Sequence, residues 1–261
     1  MAREDIVVGL DIGTSKIACV IGDVSKGAQG GIEIIGVGVA ESHGLRKGVV
    51  VDIEQTVGSI RRAVESAEIM AGVQIGSAYA GIAGGHVTGQ TAHGLIAVGD
   101  GNVVTQEDVN RVLNAAKAVA IPMEREVLHV LPQTYTVDEM TGIRDPVGIT
   151  GVRLEVSVHI VTGAVTSAAN LVRCAHLAGL SVEDVVLEPL ASAEAVLTED
   201  ETSIGTALVD MGSGTSDVVV FKNGALMHTA SLGVGGWHIT NDLAMGLRMT
   251  TQEAEELKRA H

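Results

Sequence analysis

Aromatic side chains are almost missing from this chain: one Trp, one Phe and two Tyr make up 2% of 261 residues. A core without rings must be filled by Val, Ile, Leu and Ala, which suits sheets packed under helices. Proline is scarce at 4 residues, whereas glycine is abundant at 33. Positive charge is in deficit. The 17 Lys and Arg stand against 32 Asp and Glu, a formal net charge of -15. Such a chain repels nucleic acid and anionic lipid unless a basic patch intervenes, and no Lys or Arg run appears, so no nucleic-acid partner is expected. The two cysteines, Cys19 and Cys174, lie far apart in apolar segments. They read as buried free thiols in a reducing compartment rather than as a disulfide or a metal site. The nine histidines are scattered, with no His-Glu-x-x-His, which argues against a metal hydrolase. No apolar stretch approaches the roughly 20 residues of a membrane helix. The start of the chain lacks a basic segment leading into an apolar one, so no signal peptide is expected.

What is present is enough apolar mass, 46% of residues, for more than one domain. Residues 6–10 predict a β-branched strand that ends in Asp-Ile-Gly-Thr-Ser, and 17–21 and 32–39 predict two more. Apolar residues at 53, 57, 60, 64, 67 and 70 fall in steps of three and four, one face of a helix. The strand–strand–strand–helix pattern then returns. Residues 205–208 run into Asp210-Met211-Gly212-Ser213-Gly214, and strands at 217–221 and 225–230 and helices from about 240 and over 251–261 follow. This is an internal duplication. Between the copies, residues 84–163 have a different texture, with a helix over 106–119 capped by Thr105 and strands at 126–130 and 154–161. A helix over 164–178, a strand over 182–187 and a helix from Glu188 to about Val196 complete the first copy. The expected fold is α/β: duplicated lobes, the first built from 1–83 and 164–196, a small α+β insertion over 84–163, and a partial second lobe over 197–261.

Each Asp-x-Gly turn is built for phosphate. Glycine lets backbone N–H groups approach phosphate oxygens without a side chain in the way. Gly13, Thr14, Ser15 and Lys16 offer one donor cluster, with hydroxyl and ammonium groups added. Gly212, Ser213, Gly214, Thr215 and Ser216 offer a second. The carboxylates of Asp11 and Asp210 stand at the strand ends, where they can hold Mg2+ through its waters. One such turn is usually only a hairpin, because Asp and Gly favour turns. Two of them in a duplicated pattern point to a clamp on a metal-bound nucleoside triphosphate.

At these turns the sequence resembles the superfamily of actin, the heat-shock chaperone ATPases and the sugar kinases. Asp11-Ile12-Gly13-Thr14-Ser15-Lys16 is similar to its first phosphate motif, and Asp210-Met211-Gly212-Ser213-Gly214-Thr215-Ser216-Asp217 to its second. Glu188-Pro189-Leu190-Ala191-Ser192-Ala193 resembles the segment whose Glu orients the attacking water. That implies a hydrolytic role for Glu188, which by itself reads as an acid at a helix N-terminus. The match narrows to the FtsA family of bacterial cell-division proteins. It covers essentially the whole chain and is most specific in the insertion, at Ala80-Gly81-Ile82-Ala83-Gly84-Gly85-His86, His129-Val130-Leu131-Pro132-Gln133, Asp145-Pro146-Val147-Gly148 and Gly151-Val152-Arg153-Leu154-Glu155-Val156. Gly235-Gly236 resembles the family's turn into the next helix. Glu255 and Lys258 match the helix whose Glu and Lys flank the nucleoside, although alone they read as a solvated helix face.

The resemblance implies ATP and Mg2+ as cofactors, weak ATPase activity at most, and a mainly cytoskeletal role. The family polymerises with itself on the cytoplasmic face of the inner membrane, links the tubulin-like FtsZ filament and recruits later division proteins. It reaches the membrane through a C-terminal amphipathic helix that this sequence lacks, along with an adenosine motif, so the sequence reads as C-terminally truncated. A small-molecule kinase or phosphatase, or a pilus-assembly ATPase-like protein, on the same scaffold are the alternatives.

Overall fold

A computed structural model describes residues 5–25, 31–99 and 101–260. The first lobe opens with antiparallel strands β1 (Ile6–Ile12), β2 (Lys16–Asp23) and β3 (Glu33–Glu41). Alternation along β1 buries Val8, Leu10 and Ile12 on one face. A short hairpin of β4 (Leu45–Arg46) and β5 (Val49–Val50) leads into helix α1 (Ile53–Ala71). Asp52 caps α1 by accepting the Gln55 N–H at 3.0 Å, and left-handed Gly72 ends it. Val57, Ile60, Val64 and Ala67 are buried as the spacing predicts, whereas Met70 is exposed. The helix lies directly on β3, because a Cβ at Gly38 would stand 1.9 Å from the Ala63 carbonyl oxygen. Strand β6 (Ser77–Ile82) then pairs parallel to β1.

The insertion contains β7 (Thr88–Ala97), α2 (Gln106–Ala116), β8 (Arg125–Val137), β9 (Met140–Ile143) and β10 (Arg153–Ala164). Its antiparallel sheet runs β7-β10-β8-β9, and α2 covers one face through Val109 and Val112 against Leu154, Val156 and Val158. Thr105 and Asp108 form a reciprocal capping box at the start of α2. The helix stops at Ala116 instead of continuing to 119, because Ala116 is its last buried residue and Val119 has no core to meet. Strand β8 runs well past the expected 130. It passes Pro132 by a bulge, where Ser157 pairs with Thr134 and Val158 with Pro132, leaving Gln133 unpaired.

The chain returns to the first lobe with α3 (Val165–Ala178), β11 (Ser181–Leu187) and α4 (Glu188–Val196). The five-stranded sheet is ordered β11-β6-β1-β2-β3, and α1 and α3 pack on it with Cys19 and Cys174 as buried free thiols in the same core. Helix α5 (Glu199–Ile204) buries no residue and so leaves no apolar stripe to read; the Thr198–Glu201 capping box starts it.

The second lobe holds β12 (Thr206–Met211), β13 (Ser216–Lys222), β14 (Ala225–Leu232), α6 (Gly236–Leu247) and α7 (Thr251–Ala260). The β12–β13 hairpin repeats β1–β2 in register: Met211 faces Ser216 as Ile12 faces Ile17. The open face of the insertion's sheet meets β14. Gln133 Nε2 donates to the Leu226 carbonyl at 3.0 Å, and His159 Nε2 lies 3.0 Å from Thr229 Oγ1. Among the described residues no helix is long and apolar enough to cross a membrane.

Candidate functional site

The duplicated turns meet face to face. A Cβ on Gly214 would stand 3.1 Å from Thr14 Oγ1, so glycine is what lets the second turn close on the first. Thr14 Oγ1 also accepts the Gly48 N–H at 3.1 Å, which ties the β4–β5 hairpin to the pair. In the first turn Gly13 leaves no room for a side chain, since a Cβ there would lie 2.8 Å from the Lys16 carbonyl oxygen. In the second, the Gly212 N–H donates to Thr215 O at 2.9 Å. Between the turns lies a cleft of about 570 Å³. It brings together Asp11, Gly13, Thr14, Ser15, Lys16, Glu188, Asp210, Gly212, Ser213, Gly214 and Thr215. Ser216 does not line it; its hydroxyl donates to Val234 O at 2.8 Å and holds the turn from behind.

Four carboxyl groups converge here. Glu188 is the first residue of α4, followed by Pro189, which suits an opening helical turn. The space for its side chain comes from Gly81 on β6, where a Cβ would lie 2.8 Å from Glu188 Cγ. Burial, then the neighbouring charges of Asp11, Asp217 and Asp210, push the Glu188 carboxyl up to about 8. Burial also raises Asp11, with Lys16 pulling it down and Asp210 pushing it up. Asp210 Oδ2 accepts the Ser192 hydroxyl at 2.7 Å.

Asp217, Ser192 and Gly81 belong to this site although the reading of the turns did not single them out. Asp217 faces Asp210 directly across the β12–β13 hairpin and is buried, whereas the first lobe has Ala18 opposite Asp11. The signal was available: in an antiparallel hairpin closed by a tight turn, the acid after the hydroxyl run must pair with the acid before the glycine. Nothing in local sequence marks Gly81, because it answers to a side chain far along the chain.

Among the described residues no group of three His, Cys, Asp or Glu side chains is arranged to hold a metal ion directly. The four acids nonetheless fit a cation that keeps its water shell, as Mg2+ does. Burial raises Glu188 and Asp11 first and the repulsion of the neighbouring acids adds to it; the repulsion is what such a cation relieves.

Glu255 and Lys258 line an adjoining recess of about 520 Å³ that shares Ser15, Met211, Gly212 and Ser213 with the cleft. They are not a plain solvated face. Lys258 Nζ donates to Glu255 Oε2 at 2.6 Å and to the buried Thr240 Oγ1 at 2.8 Å. Bonds from Lys258, Thr240 and Arg259 hold the Glu255 carboxyl down to about 2. Gly235 and Gly236 stand behind the second turn. Helix α6 begins at Gly236 rather than near 240, because the Gly236 and Trp237 N–H groups donate to Gly212 O and Ser213 O at 3.0 and 2.9 Å. Those carbonyls satisfy the otherwise unpaired first turn of the helix.

Comparison with known proteins bears on the family and the fold. Residues 84–162 match the family described as the SHS2 domain inserted in FTSA, and residues 207–261 match cell division protein FtsA. The chain is 51% identical over 253 residues to the cell division protein FtsA of Pseudomonas aeruginosa, covering 97% of this chain and 60% of that protein. It is 41% identical over 260 residues to that of Bacillus subtilis, covering 99% and 58%. The chain therefore spans about 60% of the length of these relatives. Among solved structures, a PilM-PilN type IV pilus biogenesis complex shares the fold with a TM-score of 0.71 at 16% identity, over 99% of this chain and 70% of that one. The ethanolamine utilization protein EutJ from Carboxydothermus hydrogenoformans does so with a TM-score of 0.56 at 17% identity, over 99% and 62%. With the duplicated hairpins, the insertion and the two matched segments in agreement, this actin-like chain belongs to the FtsA family of cell-division proteins.

Proposed function

We propose that this chain is the nucleotide-binding part of an actin-like cell-division protein that binds Mg-ATP between its two turns. The observation that carries the reading is the meeting of Gly214 with Thr14 over four converging carboxyl groups. Backbone N–H groups and hydroxyls of Gly13, Thr14, Ser15, Ser213 and Thr215, with Lys16, cradle the phosphates. Asp11 and Asp210 hold Mg2+ through water, and Glu255 and Lys258 flank the nucleoside in the adjoining recess. Mg2+ supplies charge neutralisation at the phosphates. Glu188 supplies the base that orients water once its carboxyl has given up its proton, and turnover is slow, as the resemblance implies. ATP then acts as a switch of conformation and assembly rather than as fuel. In this reading the protein assembles with copies of itself, links the FtsZ ring to the cytoplasmic face of the inner membrane and recruits later division proteins.

Calorimetric titration with Mg-ATP tests the site. Asp210→Ala is expected to abolish binding, and unchanged affinity refutes the assignment. Sedimentation with and without ATP, alongside incubation with sugars and carboxylic acids, tests the role. Rapid phosphorylation of a small molecule without pelleting favours a kinase instead.

A further inference from the structure

We propose that a second recess on the phosphate turns is an anion site that takes inorganic phosphate. The recess, about 390 Å³, shares Thr14, Ser15, Ser213 and Gly214 with the nucleotide cleft, but none of the four acids lines it. Its other wall is the β4–β5 hairpin, with Arg46 and Lys47, and the start of α6, with Trp237 and His238.

Three observations point to an anion. First, Arg46 and Lys47 make no ion pair among the described residues, although the chain carries 15 more acidic than basic side chains. The one acid on the wall, Glu41, lies 3.8 Å from His43. Second, Lys47 sits at φ 51 and Gly48 at φ 76, the two corners of a tight hairpin turn. The first corner favours Asn, Asp or Gly, so a lysine there is held in a conformation that its side chain disfavours. It is pressed against the second turn, with its Cα 3.2 Å from where a Gly214 Cβ would stand. Third, the Ser42 hydroxyl on this wall is buried without a hydrogen-bond partner.

The remaining donors complete the set. Thr14 Oγ1 accepts the Gly48 N–H, which leaves its own proton to give. His238 Nδ1 accepts the Gly235 N–H, so the Nε2 of the neutral ring carries the proton. Cations, hydroxyls and a ring N–H around a small recess suit a tetrahedral anion that only accepts. Because four residues wall both spaces, phosphate cleaved from a nucleotide has this recess as its neighbouring station. That source rests on the proposed hydrolysis, whereas the site itself stands without it.

Trp237, the only tryptophan, lines the recess and gives the readout. Fluorescence of the whole chain is titrated with inorganic phosphate alone, at constant ionic strength held with chloride. A saturable change is expected. The double variant Arg46→Gln, Lys47→Asn removes both charges while giving the turn a residue that tolerates its backbone, and is expected to weaken the response at least about tenfold. Lys16→Gln, which empties the nucleotide cleft of its lysine, is expected to leave it intact. No saturable response, a response that survives the double variant, or one lost in Lys16→Gln overturns the proposal. Because no nucleotide is present, failure of ATP binding or hydrolysis leaves this result readable.

Discussion

His129 Nε2 accepts the backbone N–H of Leu187 at 3.0 Å, one residue before Glu188. The acceptor sits on β8 of the insertion, so the insertion props the strand end that presents Glu188, the proposed hydrolytic acid. The bond requires a neutral ring with its proton on Nδ1, and burial lowers the His129 pKa below 6.5 against an opposing pull from Asp184. A depressed histidine gives stability that is present above pH 6.5 and is lost as pH falls through its folded value. His129→Phe strands the Leu187 N–H and is expected to cost about 1–3 kcal/mol. His129→Gln keeps an acceptor and recovers part of that. Both variants should flatten the acid side of the stability profile in thermal melts between pH 7.5 and 5. An unchanged profile would show that His86 and His159, which shift in the same direction, account for it alone.

Glu188 behaves in the opposite sense. Its folded value, about 8, stands above 4.5, so between those limits the folded chain holds a proton that the unfolded chain has lost. The ligand-free protein is therefore expected to lose stability as pH rises through that window, and Glu188→Gln to lose less. The Mg2+ of bound Mg-ATP, set closer to the carboxyl cluster than the triphosphate charge, is expected to lower the carboxyl, so binding at pH 7 is expected to release protons. Titration calorimetry in buffers of different ionisation heat counts them, and the count should fall in Glu188→Gln.

Gly81→Ala separates binding from hydrolysis. The added methyl would stand 2.8 Å from Glu188 Cγ and 3.0 Å from Oε1, so Glu188 must swing aside. Hydrolysis is expected to fall about 10- to 100-fold, as for a misplaced catalytic group, with Mg-ATP affinity within about threefold of the parent. Equal losses in both would show that β6 itself has moved.

Gly235→Ala tests the bond between helix α6 and the second turn. Its methyl would meet the Gly212 and Ser213 carbonyl oxygens at 2.5 and 2.6 Å, and backbone has little room to yield. A loss of about 1–3 kcal/mol is expected in denaturant melts, together with weaker Mg-ATP binding. Gly246→Ala in the same helix, with nothing within 4 Å, is the control and should gain about 0.5–1 kcal/mol.

The duplication, the two turns, α1 and the Thr105 cap were legible because each follows from a local rule: period, turn chemistry or capping. Strand β7 was not placed, since Gly89 and Gly94 weaken any strand propensity. Both are required from outside the strand: a Cβ at Gly94 would lie 2.2 Å from the Val112 carbonyl oxygen of α2, and one at Gly89 2.3 Å from His159 Nε2. The early start of α6 was hidden for the same reason, because its first partners are carbonyls of a turn more than twenty residues back. Within the site, Asp11, Asp210 and Glu188 were readable from their motifs. The raised Glu188 was not, because it depends on burial in the assembled fold and on three carboxylates brought from separate strands.

The bulge at Pro132 frees Gln133 from its ladder, and the freed side chain reaches the carbonyl oxygens of Leu226 and Met227. With His159 and Thr229 it makes the insertion a strap: rooted in one lobe, buckled to a hairpin of the other. Parting the lobes means unbuckling it, at about 0.5–1.5 kcal/mol for each bond given up. Linkage runs both ways across such a strap. Whatever holds the insertion buckled tightens the grip on a ligand between the lobes, and that ligand strengthens the hold on the insertion by the same factor.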